Sequence, residues 1–84
     1  MSNCTSLNVR GAIANWAGVS VSSLTSQTQL NGLGGKTWPG DAPSLITVLE
    51  GLCNTTIPQE DYELFETVDD VEDYLNVEGK PDSE

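Results

Sequence analysis

The side chains in this chain that could do chemistry are carboxylates, hydroxyls and two thiols, and no histidine accompanies them. Without a histidine, a Ser or Cys nucleophile lacks its commonest general base. The acidic run at residues 69–73 lacks the Asp and Gly spacing of a calcium-binding loop. No glycine-rich phosphate loop follows a strand pattern. The sequence therefore predicts a protein that is not an enzyme and that binds no metal ion.

The two thiols, Cys4 and Cys53, show no metal-ligand spacing. The N-terminal segment lacks the basic start and apolar stretch of a signal peptide. No apolar run approaches the roughly 20 residues that span a bilayer. We therefore expect a cytoplasmic protein. Because the cytoplasm keeps thiols reduced, we expect both cysteines to be free, with Cys53 as a small core residue.

The charge is strongly negative and unevenly distributed. Thirteen acidic residues face three basic ones, giving a net charge of −10, and every acid lies between Asp41 and Glu84. Nucleic acids and anionic membranes are excluded as partners, because phosphate binding requires clustered Lys and Arg. The negative electrostatic field of such a chain suits a protein partner with a basic patch, although a requirement for solubility alone would also explain the charge. We expect a monomer.

The apolar pattern predicts four helices, near residues 7–18, 41–54, 59–65 and 67–76. Asp41 and Thr67 are placed to cap the second and fourth helices. A long polar connection follows the first helix, and spaced apolar residues should anchor it to the core: Val19, Val21, Leu24, Leu30 and Leu33. Eighty-four residues suffice for one domain, so we expect a single all-α bundle with an ordered core at 7–77 and a flexible tail at 78–84.

A set of apolar residues at helical spacing should form the core. The residues expected to be buried are Leu45, Ile46, Leu49, Ile57, Phe65, Val68, Val71 and Leu75. Tyr62 and Tyr74 are expected to face inward with them.

Residues 49–76 resemble the second half of an acyl carrier protein. The matching positions fall in register without a gap: Ile57-Pro58, Glu60-Asp61, Phe65, Thr67-Val68 and Tyr74-Leu75. The first half agrees more loosely, at Ala17-Gly18-Val19, Leu24, Leu30 and Leu33-Gly34. The resemblance covers roughly residues 7–77. It implies an acyl-carrier-protein-like four-helix bundle with a long first loop.

In that family, the serine of an Asp-Ser-Leu motif at the start of the second helix carries 4′-phosphopantetheine. A helix N-terminus suits the phosphodiester that forms there. Counted back without a gap, the serine position is Pro39 in this chain, and Trp38 and Gly40 flank it. Proline has no hydroxyl. The resemblance therefore implies a chain without phosphopantetheine.

Two nearby hydroxyls leave an alternative open. Thr37 takes the serine position if the loop is realigned from Leu33-Gly34, but its methyl group suits a serine-specific transferase poorly. Ser44 keeps a Ser-Leu pair three residues after Asp41, but attachment there would shorten the helix behind it by more than a turn. With Ser44 modified, the chain would be a genuine acyl or peptidyl carrier in fatty-acid, polyketide or related biosynthesis.

In the family, an acidic outer face of the second helix docks onto basic patches of partner enzymes. Here that face carries mostly uncharged residues: Thr47, Val48, Gly51 and Asn54, with Asp41 and Glu50. The acids lie instead on the last two helices, as a solvated face or a displaced docking surface: Glu60, Asp61, Glu63, Glu66, Asp69, Asp70, Glu72 and Asp73.

The loop residue Trp38 either covers the core or stays exposed as a binding residue. We expect an interaction surface at Trp38, Asp41, Thr47 and Val48. The predicted function is a non-catalytic protein–protein interaction module, whose partner could be a biosynthetic enzyme with a basic patch.

Overall fold

The computed structural model describes residues 3–80, which fold around three α-helices. They are α1 (Ser6–Ala17), α2 (Ala42–Cys53) and α3 (Val68–Leu75), and three short 3-10 helices lie between them at Val21–Ser23, Leu33–Gly35 and Gln59–Leu64. Within this part of the chain no β-strand forms, and two isolated bridges pair Thr5 with Glu78 and Gln29 with Thr67. The all-α prediction is confirmed, and each of the four predicted helices begins and ends within one residue of its expected bounds.

Local capping explains why α1 and α3 begin where they do. The Thr67 hydroxyl accepts from the Asp70 backbone N–H at 3.3 Å, and the Asp70 carboxylate accepts from the Thr67 N–H at 3.0 Å. This reciprocal capping box satisfies two N–H groups that the helix itself leaves unpaired. At the start of α1 a single bond serves as the cap, in which the Thr5 hydroxyl accepts from the Asn8 N–H at 3.1 Å.

Asp41 precedes α2 as predicted, but its side chain does not cap the helix. The carboxylate turns back and accepts from both the backbone N–H of Thr37, at 2.9 Å, and the Thr37 hydroxyl, at 3.1 Å. The expected capping bond is absent because the carboxylate closes the turn before the helix instead.

The core prediction is confirmed at all eight positions. Every one is buried: Leu45, Ile46, Leu49, Ile57, Phe65, Val68, Val71 and Leu75. Val9 and Ile13 of α1 complete this core, and Leu24 and Leu30 tie the long connection onto it. Val21 does not anchor the connection, since its side chain is 42% exposed.

The two tyrosines lie closer to the surface than predicted. Tyr62 is partly buried against the core, and Tyr74 is exposed. The Tyr74 ring meets Phe65 edge-on with centroids 4.9 Å apart, and its hydroxyl donates to the Asp61 carboxylate at 2.7 Å. A phenol that keeps its hydroxyl near solvent and its ring on the core cannot be fully buried.

The two cysteines form a disulfide, so the expectation of free thiols is wrong. Cys53 is the last residue of α2 and is only partly buried. Cys4 lies two residues before α1, and its carbonyl accepts from the Glu78 N–H at 3.0 Å. The fold brings the two residues together from positions 49 apart in sequence.

Two residues of the predicted tail take part in the fold. The Glu78 carbonyl also accepts from the Ser6 N–H at 2.7 Å, and Lys80 forms ion pairs with Asp69 and Asp73. Residues 81–84 of the predicted tail lie outside the described residues.

One of the acids assigned to the surface is fully buried. The Glu72 carboxylate is 0% exposed and forms a two-pronged ion pair with Arg10, at 3.1 Å from Nε and 3.0 Å from Nη2. The Ser6 hydroxyl donates to the same carboxylate, and Arg10 also donates to the Ser26 hydroxyl at 3.1 Å. The prediction that Glu72 belongs to a solvated face or docking surface is therefore wrong, because Arg10 supplies the charge that permits burial.

Candidate functional site

The turn that leads into α2 holds Pro39, the residue that the sequence resemblance aligns with the serine of acyl carrier proteins. The turn is closed by backbone bonds from Asp41 N–H to the Thr37 carbonyl and from Ala42 N–H to the Pro39 carbonyl, both at 3.0 Å. The Trp38–Pro39 peptide bond is cis, and Pro39 is exposed. The position is thus accessible from solvent but carries no group that could accept a phosphoryl substituent.

Trp38 folds back over the core. Its indole N–H donates to the Tyr62 carbonyl at 2.7 Å, and its ring lies 6.1 Å from that of Phe65 and edge-on to Trp16 at 5.8 Å. Aromatic pairs with this edge-to-face geometry add to the energy of burial. Trp38 is therefore half-buried and holds the turn against the Gln59–Leu64 helix, with part of its surface left to solvent.

Asp41 links the turn to α1 and α2. Its backbone carbonyl accepts from the indole N–H of Trp16 at 3.0 Å and from the Ser44 hydroxyl at 3.2 Å. The backbone N–H of Thr37, its hydroxyl and the nearby Lys36 charge together hold the pKa of the exposed Asp41 carboxyl below its usual value of 3.8. Asp41 is therefore ionised at neutral pH and places one negative charge beside the start of α2.

The two candidate hydroxyls occupy different surroundings. Thr37 is exposed, but its hydroxyl is held by the Asp41 carboxylate. Ser44 is exposed and is the third residue of α2, and its hydroxyl donates to the carbonyl three residues earlier. A hydroxyl in this common backbone bond can turn toward solvent. Ser44 is accordingly the more accessible of the two.

An exposed, nearly uncharged face runs along α2. It includes Ser44, Thr47, Val48 and Gly51, and the Val48 side chain is 48% exposed. The Thr47 hydroxyl is taken up by the Pro43 carbonyl at 3.0 Å. We name Ser44, Thr47, Val48 and Gly51 the α2 face.

Glu50, which the sequence placed on this face, turns away from it. It is half-buried, and its carboxylate accepts from the Ile57 N–H at 2.7 Å. That bond fixes the chain reversal after α2. Of the two acids expected on the face, only Asp41 keeps an exposed charge near it.

A groove of about 580 Å³ lies beside the start of α2, and sequence reasoning did not predict it. Two prolines at the helix start, Tyr62 and two exposed glutamates are among the residues that line it. Its lining is Pro39, Gly40, Pro43, Gln59, Glu60, Tyr62 and Glu63. The only signal in the sequence was the pair of prolines around Asp41, which sequence reasoning took as features of the helix start.

Most acids of the last two helices already have partners. Asp70 is part of a cap, Asp69 and Asp73 surround Lys80, and Asp61 accepts from Tyr74. The bond to Asp61 raises the pKa of the Tyr74 phenol, and the carboxylates of Asp69 and Asp73 raise the pKa of the Lys80 ammonium.

Three exposed glutamates remain after these pairings, at Glu60, Glu63 and Glu66. Two of them line the groove. Of the eight acids expected on this surface, only Glu72 is removed from it by burial, because a hydrogen bond from a neutral donor leaves a carboxylate charged.

Within residues 3–80, no helix is long and apolar enough to cross a membrane, and no cluster of three or more His, Cys, Asp or Glu residues is arranged to hold a metal ion. A scan against protein-family models found no match for this chain, and a search of curated proteins found none either.

Proposed function

We propose that this chain is a non-catalytic protein–protein interaction module on an acyl-carrier-protein-like bundle, without phosphopantetheine. The observation that carries this proposal is that Pro39 is exposed but has no hydroxyl group. The residue in the serine's register position is exposed in the turn before α2, where a transferase could reach it, but it has no hydroxyl. A carrier fold that keeps its core and its accessible turn but lacks the attachment group retains the surface for binding and not the chemistry of loading.

The α2 face and the groove beside it suggest what the partner offers. Val48 provides exposed apolar area on the face, Glu60 and Glu63 provide negative charge in the groove, and Asp41 provides it at the start of α2. A protein with an apolar contact surrounded by Lys and Arg complements this arrangement. The proposed partner is therefore a protein with a basic patch, such as a biosynthetic enzyme, which a monomeric module would bind.

The cytoplasmic location stays a prediction. The Cys4–Cys53 disulfide weighs against it, because stable disulfides are rare in reducing compartments. The binding proposal itself does not depend on the compartment.

The proposal is tested by quantitative capture with a pair of matched variants. Val48→Asp adds one charge to the α2 face, and Val21→Asp makes the same change at a residue of similar exposure outside it. The purified chain is immobilised, incubated with native extract, and the retained proteins are quantified by mass spectrometry. We expect a partner whose retention falls at least tenfold with Val48→Asp and is unchanged with Val21→Asp, as for other buried interface centres. Equal retention by both variants would contradict the proposed surface.

One observation favours a second candidate function. Ser44 is exposed in the first turn of α2, the place in the helix where the resembled family carries its modified serine. If Ser44 accepts 4′-phosphopantetheine, the chain is a genuine acyl or peptidyl carrier. The register of the C-terminal half favours the first proposal, since it assigns the serine position to Pro39 rather than Ser44.

A further inference from the structure

A second cavity neighbours the groove beside α2, and the two share one acidic residue. The second cavity has a volume of about 280 Å³. Glu63 lines both cavities, while Glu60 lines the groove and Glu66 lines the second cavity. Trp38 lines the second cavity, and the next residue, Pro39, lines the groove. The two cavities therefore lie side by side on one surface of the molecule.

The Gln59–Leu64 helix explains why these glutamates share a surface. It is a 3-10 helix, in which side chains three positions apart lie above one another, as Glu60 and Glu63 do. Glu66 follows after three more positions, one residue beyond Phe65, where the helix ends. All three glutamates are exposed. The spacing thus brings three carboxylates to one pair of cavities.

The chain's own basic residues do not balance these three carboxylates. Arg10 and Lys80 form ion pairs with other acids, and Lys36 lies near Asp41. None of these three basic residues lines either cavity. Within residues 3–80, no ion pair or hydrogen bond reaches the carboxylates of the three glutamates. A counter-charge for them has to come from outside the described chain.

A protein that covers the two cavities has to supply that counter-charge. Taking a carboxylate out of water without a cation beside it costs free energy, so a neutral or acidic contact would be disfavoured. Trp38 and Tyr62 bring one aromatic residue to each cavity. A guanidinium suits this combination better than an ammonium, because it stacks on aromatic rings, binds carboxylates through parallel N–H groups and is more weakly hydrated.

The aromatic residue of the second cavity is already held in place. The Trp38 backbone N–H donates to the Asn31 side-chain oxygen at 3.0 Å, and its indole N–H donates to the Tyr62 carbonyl at 2.7 Å. The same carbonyl accepts from the Phe65 N–H at 3.2 Å. Binding therefore does not have to order this side chain first, which lowers the entropic cost of association.

We propose that the paired cavities take an arginine side chain of the protein partner, and that Glu63 binds its guanidinium. This inference rests on the proposed binding function, and it specifies which residue of the partner makes the contact.

The test is a nuclear magnetic resonance titration of the isotope-labelled full chain with three blocked peptides. They are acetyl-Gly-Gly-Arg-Gly-Gly-amide and the same peptide with lysine or with citrulline, which has the shape of arginine but no charge. The arginine peptide should shift the indole N–H signal of Trp38 and the amide signals of residues 59–66. Its Kd should be about threefold or more below that of the lysine peptide, and the citrulline peptide should not bind.

Two variants that each remove one charge show whether binding is local. Glu63→Gln should weaken binding of the arginine peptide about fivefold or more. Glu78→Gln neutralises an exposed glutamate that lines neither cavity, and it should change the Kd by less than about twofold. Equal affinity for the three peptides, equal effects of the two variants, or shifts that spare Trp38 would each overturn the proposed site.

The same variants in the capture experiment separate this inference from the proposed function. Retention of the partner that depends on Val48 should fall about fivefold or more with Glu63→Gln and stay unchanged with Glu78→Gln. If that partner is retained equally by Glu63→Gln, the arginine site is wrong and the interaction module stands. If the arginine peptide binds as predicted but no partner depends on Val48, the site stands and the proposed surface on α2 is wrong.

Discussion

Removing Arg10 should destabilise the domain strongly, because it leaves the Glu72 carboxylate buried without a counter-charge. Glu72 is 0% exposed and receives two of its bonds from Arg10, at 3.1 and 3.0 Å. Breaking a buried pair by removing one partner costs about 3–5 kcal/mol. At about 0.05–0.15 kcal/mol per residue, this chain has a total stability of about 4–13 kcal/mol. Arg10→Met should therefore remove a large share of it.

Removing both charges should lower the free energy of unfolding by much less than the sum of the two single substitutions. In Arg10→Met/Glu72→Met no charge stays buried, and the methionines fill similar volumes with apolar atoms. The Ser6 and Ser26 hydroxyls lose their bonds to Glu72 and Arg10, which limits the recovery of stability. We expect a coupling energy of about 2 kcal/mol or more between the two sites, within the range for residues in direct contact.

The assay is equilibrium urea unfolding followed by the fluorescence of the two tryptophans, with the slope compared between variants. Glu63→Met serves as the control, because this glutamate is exposed, and it should change stability by less than about 0.5 kcal/mol. If Arg10→Met also costs less than about 1 kcal/mol, or if the single changes are additive, the carboxylate is hydrated and the pair does not support the fold as described.

Three further predictions concern the core, the long loop and the helix start. Phe65→Ala should cost about 3–5 kcal/mol in urea unfolding, since the ring is 2% exposed, and a change near zero would contradict the core. Gly34→Ala should lower the melting temperature, because the added carbon would meet the Ala17 carbonyl oxygen at 1.8 Å on a positive-φ backbone; an unchanged melting temperature would refute that close approach. Because folding lowers the pKa of Asp41, its contribution to stability is present above pH 3.8 and is lost as the pH falls through the folded value. In Asp41→Asn, the free energy of unfolding should therefore fall less steeply as the pH is lowered below 3.8. An unchanged pH dependence would show that the bonds to Thr37 do not form.

The helices and core could be predicted from sequence because they follow from local periodicity and capping. The apolar spacing of residues 45–52 and 65–75 fixes which sides are buried, and Thr67 signals its helix start directly. A local pattern of this kind can be recognised without knowing which elements the helix packs against.

The disulfide and the buried ion pair could not be predicted, because each depends on residues far apart in sequence. Cys4 meets Cys53 across 49 positions and Arg10 meets Glu72 across 62. Glu72 looked like one of many surface acids, since none of its neighbours in sequence indicates that it pairs with Arg10. Periodicity would have placed it inward, next to Val68 and Leu75 on one side of α3, but its charge argued against that.

The candidate site was only partly predictable for a similar reason. The sequence placed Thr47 and Val48 on the outer side of α2, where they are exposed. It could not show that Glu50 turns to the Ile57 N–H, or that Trp38 lies on Phe65. Both depend on how the chain returns after α2.

The central claim, that the attachment group is lost, is tested most directly by intact mass. The purified chain is incubated with coenzyme A and a phosphopantetheinyl transferase of broad specificity, beside a known carrier protein as a positive control. We predict no added mass on this chain under conditions that load the control fully. An added phosphopantetheine that disappears in Ser44→Ala, and persists in Thr37→Ala, would contradict the account and make Ser44 the attachment site of a true carrier.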